Sequence, residues 1–92
     1  MTHEIVTAAP PPEVVARAKS FFATRVPATG AFVERETERH IVLRGQGGEE
    51  IVIAAVPVDG GSAVRGSSLL FDQQVKRFFS TLPPAGVPLG AA

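Results

Sequence analysis

The chain has 92 residues, 45% hydrophobic and 20% charged, with nine Lys and Arg against nine Asp and Glu. A formally neutral chain exerts no long-range pull on nucleic acid, anionic lipid or acidic substrates. The absence of cysteine excludes disulfides, thiolate chemistry and Cys-ligated zinc or iron–sulfur clusters. The length predicts one α+β domain over residues 1–84, burying roughly 60–65% of its unfolded surface, followed by a flexible tail over 85–92 rich in small residues and proline. Met1-Thr2-His3-Glu4 lacks the basic-then-apolar pattern of a signal peptide. The longest apolar run, Ile51–Pro57, falls far short of the ~20 residues that span a bilayer. The expectation is a cytoplasmic protein with no membrane partner.

Glu4–Ala8 reads as a short strand, because Ile5, Val6 and Thr7 favour extended backbone. Pro10-Pro11-Pro12 ends it and opens a helix, with Pro12 in the first turn and Glu13 at the positive end of the dipole. Val14, Val15, Ala18, Phe21 and Phe22 then form one apolar stripe of 3.6-residue period. Pro27 and Gly30 stop this helix. Two strands follow, Ala31–Thr37 and His40–Gly45, joined at Glu38-Arg39, and then two more, Glu49–Val58 and Ala63–Leu70.

Glycine turns at Gly45-Gln46-Gly47-Gly48 and Asp59-Gly60-Gly61-Ser62 set the register. With Gly60 and Gly61 as the two central residues, Asp59 faces Ser62, Pro57 pairs with Val64, Ala55 with Gly66, Ile53 with Ser68 and Ile51 with Leu70. The preceding turn aligns Leu43 with Ile51 and Ile41 with Ile53. The two hairpins agree on the apolar positions, as a consistent register should. A last helix over Asp72–Leu82 carries Val75, Phe78, Phe79 and Leu82 on one side and stops at Pro83-Pro84.

The predicted order is β-α-β-β-β-β-α: an α+β two-layer sandwich in which a five-stranded antiparallel sheet carries two helices on one face. In this order of elements the chain resembles a shortened helix-grip domain of the START-like or Bet v 1-like (SRPBCC) superfamily. The proline-bounded helix Pro12–Ala23 and the closing segment Phe71–Leu82 take the places of the corresponding parts. The TATA-binding-protein half-domain is similar in element order as well. The helix-grip resemblance implies a ligand cavity between sheet and helices, and a cyclase or hydrolase of that kind would need a polar group inside it. Arg35, Thr37 and Ser68 are the inward-facing candidates.

The second face of the meander carries Val42, Val52, Ala54 and Val56 in its middle and Arg44, Arg65 and Leu69 around them, with Glu34 across from Arg44 and Arg44 across from Glu50. A solvated sheet face alternates with polar residues, whereas an apolar centre inside a polar rim is the anatomy of an interface. The sequence therefore predicts a non-catalytic module that forms a homodimer through its sheet. The bland alternative is that β-branched residues simply favour strands.

A second reading is a pocket for a small apolar ligand beneath the helices. It would be lined by Phe21, Phe22, Phe71, Phe78 and Phe79, with the small residues Ala55, Gly66 and Ser68 leaving room. Large-against-small packing in a filled core explains the same residues. Glu34, Glu36, Glu38 and His40 sit close in sequence, but the interleaved Arg35, Arg39 and Arg44 read as a salt-bridged edge strand, so no metal is expected. No serine lies in a nucleophile elbow, and no glycine loop opens a helix to cradle phosphate. The cations are scattered, there is no Tyr or Trp, and neither a cofactor nor nucleic acid is expected.

Overall fold

The computed structural model describes residues 2–24, 32–45, 50–68 and 72–84. Its elements are β1 (Thr2–Thr7), α1 (Pro11–Thr24), β2 (Phe32–Glu36), β3 (His40–Arg44), β4 (Glu50–Val58), β5 (Gly61–Ser68) and α2 (Asp72–Phe79). The strands form one antiparallel sheet in the order β1-β5-β4-β3-β2. Both helices lie on the same face, α1 chiefly over β3 and β4 and α2 over β5 and β1. The α+β sandwich and its element order are as the sequence predicts. Leu69, Leu70, Phe71, the centre of the first glycine turn, Pro27, Gly30 and the segment 85–92 lie outside the described residues.

The core is made where the helix stripes meet the inner sheet face. Val14, Ala18, Phe22, Val75 and Phe78 pack against Ile41, Leu43, Ile51, Ile53 and Val64, all essentially inaccessible to solvent. Helix α1 begins one residue earlier than expected: the Pro10 carbonyl accepts from the backbone N–H of Glu13 (3.0 Å) and Val14 (3.1 Å), which makes Pro10 the residue that closes the first turn.

The β4–β5 hairpin differs from the predicted register by two residues. Val58 faces Gly61, so Asp59 and Gly60 form the loop, and Ala55 pairs with Val64, Ile53 with Gly66 and Ile51 with Ser68. Gly60 takes the positive φ of 80° that the turn demands. Gly61 belongs to the strand because the β1–α1 junction crosses directly over it. A Cβ there would fall onto the Thr7 carbonyl oxygen and within 2.7 Å of Ala8 Cα. A slip of two leaves every side chain on the same face, so the inner and outer sets survive. The β3–β4 pairs Leu43–Ile51 and Ile41–Ile53 are as predicted.

Strand β2 carries a bulge between Val33 and Arg35. Beyond it Arg35 pairs with Val42 and Glu36 with Ile41, so Arg35 turns to the outer face and Glu36 to the inner one. This corrects the expectation that Glu34 and Glu36 share a face and that Arg35 points inward. The chain end is tied to the start of the fold. The buried Thr7 hydroxyl donates to the Pro83 carbonyl (2.6 Å) and accepts from the Ala9 N–H (3.3 Å), while the Ala8 N–H donates to the same Pro83 oxygen (3.2 Å). Pro84 bridges Thr7 on the free side of β1, and the Ser62 hydroxyl donates to the Ala9 carbonyl (2.6 Å).

Candidate functional site: the outer sheet face

Period-2 alternation places Val42, Val52, Ala54, Val56 and Val58 on the face away from the helices. Val42 is screened by its neighbours, Val52 and Ala54 are half-buried, and Val56 is 55% exposed. The β1–β5 pairing adds Val6 opposite Ala63, which in turn pairs with Val56. An apolar band thus crosses three strands, from Val42 on β3 to Val6 on the β1 edge. Val6 and Ala63 escape a reading of the sequence because nothing local says which strand β1 joins.

Charged pairs flank the band. Arg44 grips Glu34 with two hydrogen bonds, Nε to Oε1 (3.1 Å) and Nη2 to Oε2 (3.0 Å), and gives a third from Nη2 to Glu50 Oε2 (2.9 Å). The hydrogen bonds from Arg44, helped by its charge and that of Arg35, hold the Glu34 carboxyl below its ordinary value of 4.5. The same contacts raise the affinity of Arg44 for its proton. On the other flank Arg65 donates from Nε (2.9 Å) and Nη2 (2.7 Å) to one oxygen of Glu4. At the β1–β5–β4 end an open depression of about 600 Å³ lies among Val6, Ala54, Val56, Ala63, Glu4 and Arg65. At the opposite corner Phe32, paired with Arg44, stands 54% exposed.

The inner set has a different character. Phe21 meets Phe22 edge-on at 5.1 Å between centroids and Phe78 at 5.6 Å, and Phe78 lies 6.1 Å from Phe79. Ala55, Gly66 and Ser68 are buried beneath the helices. A Cβ on Gly66 would sit 2.7 Å from Val75 Cγ1, 3.0 Å from Phe79 Cζ and 3.1 Å from Ile53 Cδ1. At this point the small residue makes room for side chains already in place, which is core packing.

Of the polar candidates for that space, Arg35 and Thr37 are exposed and Ser68 is buried. Among the described residues every buried side-chain nitrogen and oxygen has a partner, no cluster of His, Asp and Glu could hold a metal ion, and no helix is long and apolar enough to cross a membrane. Glu36 is engaged by Lys19 of α1 at 3.1 Å. No family model, no curated protein and no solved structure matches this chain.

Proposed function

We propose that this chain is a non-catalytic interaction module that self-associates through the outer face of its sheet. The observation that carries the reading is the apolar band through Val52, Val56, Ala63 and Val6, left open to solvent between two salt-bridged flanks. Exposed apolar surface costs about 25 cal/mol per Å², and covering it is the driving force. The charges on the flanks are compensated within one copy, so two faces can approach without strong repulsion.

The size of the face sets the strength. Five strands at about 4.8 Å spacing and roughly 20 Å length give about 500 Å² per copy in projection, or about 1,000 Å² for two. That is the lower bound for a specific interface and fits a transient, roughly micromolar dimer. The proposal does not draw on the helix-grip resemblance, whose cavity would lie where Val75, Phe79 and Ile53 close on Gly66.

Light scattering or sedimentation across a concentration series is expected to show a mass rising from 9.6 kDa toward twice that value. Val52→Glu and Val56→Glu are expected to remain monomeric with an unchanged circular dichroism spectrum. A wild-type chain that stays monomeric up to roughly millimolar concentration, well above a micromolar Kd, would overturn the reading.

A further inference from the structure

We infer that the two copies dock by reciprocal insertion, Phe32 of each entering the outer-face depression of the other. The inference rests on the self-association proposed above and specifies its geometry. Phe32 is the one aromatic ring on the outer face among the described residues, and it is 54% exposed at the β2 corner. The depression lies diagonally opposite, floored by Ala54 and Ala63 and walled by Val6 and Val56. Ala63 is three strands away from Phe32 and, along β4, Glu50 and Val56 mark their two rows six residues apart. The separation is about 25 Å at ordinary strand spacing and rise.

A two-fold interface must be self-complementary, so that if residue i contacts j, j also contacts i. Face-to-face sheets place the two-fold axis in the plane between them. An axis crossing that diagonal near Val52 and Ala54 lays the Phe32 corner of each copy on the depression of the other, twice per dimer. Small, flat side chains then meet at the axis, where two sheets approach most closely. The depression, about 600 Å³, has room for a ring. Buried aromatic anchors in central pockets carry a disproportionate share of association energy. The flanks match as well: the Glu34–Arg44–Glu50 cluster carries one net negative charge and comes over the neutral Glu4–Arg65 pair, so the corners do not oppose like charges.

Complementation tests this arrangement. Phe32→Ala removes the knob and keeps the depression; Ala63→Gln fills the depression with a polar side chain and keeps the knob. Each variant alone loses both contacts of its homodimer and is expected to dimerise about 30-fold more weakly, the scale of an anchor residue. Mixed one to one, the two restore one contact, so sedimentation of a labelled variant against the other should show a heterodimer tighter than either homodimer. Both positions are solvent-accessible, and thermal melts confirm the fold. If wild-type dimerises but Phe32→Ala dimerises as well as wild-type, or mixing gives no gain, reciprocal insertion is wrong while self-association stands. A monomeric wild-type chain removes both.

Discussion

At Gly66 the sheet and α2 meet without a side chain between them, and two opposing effects compete in Gly66→Ala. Replacing glycine in a strand gains about 0.5–1 kcal/mol from the unfolded chain's lost freedom. The new methyl would lie 2.7 Å from Val75 Cγ1 and 3.0 Å from the Phe79 ring, and overpacking of this kind costs about 1–3 kcal/mol. The overpacking dominates because both neighbours are buried in the core. Chemical denaturation of Gly66→Ala is expected to show a net loss of about 1 kcal/mol or more. Glu34 gives a residue-scale prediction in pH. Its folded pKa lies below 4.5 because Arg44 hydrogen-bonds its carboxylate. A group with a depressed folded pKa stabilises the fold above its unfolded value, and that contribution disappears as pH falls through the folded one. Denaturation midpoints measured from neutral pH down to about pH 3 should therefore fall less steeply in Glu34→Gln than in wild-type. Near neutrality the variant should lose little, since an exposed pair is weak.

Among elements, the strands and helices were legible wherever side-chain period decided the matter. The stripe Val14–Ala18–Phe21–Phe22 and the alternation Ile41–Leu43, Ile51–Ile53 are set by burial, and burial is what their spacing encodes. The hairpin loop was misplaced because Asp59-Gly60 and Gly60-Gly61 are both good turn dipeptides, and only the distant β1–α1 crossing at Gly61 chooses between them. The bulge at Glu34 has no local signal in Val33-Glu34-Arg35-Glu36, so Arg35 was assigned to the wrong face. Thr7 shows how a single residue joins elements. Its hydroxyl links β1, the start of α1 and the segment after α2, and it is buried. Thr7→Val keeps the shape but leaves the Pro83 carbonyl with one donor and the Ala9 N–H with none. Loss of about 1–3 kcal/mol in denaturation experiments is expected.

For the molecule as a whole, the middle of the outer face was readable from the meander, because β3, β4 and β5 are consecutive and tight turns fix their pairing. Its β1 border was not, because Val6 reaches Ala63 only through a pairing that spans most of the chain. The same holds for the charged flank that Glu4 makes with Arg65 across 61 positions. The face is close to the smallest area that supports specific association, so its strength should respond to single substitutions such as Val56→Glu. Salt should change it little, because its charges are already matched within each copy.

That same pairing dictates an order of assembly. Strands β2 to β5 are linked by short connections and need only local loop closure, whereas β1 waits for a partner made some sixty residues later. The first strand synthesised is thus among the last to dock, and the Pro83–Pro84 latch closes behind it. Until then the Ser62–Ser67 edge of β5 is open, a transient hazard that a nascent chain carries until its own beginning folds back to cover it.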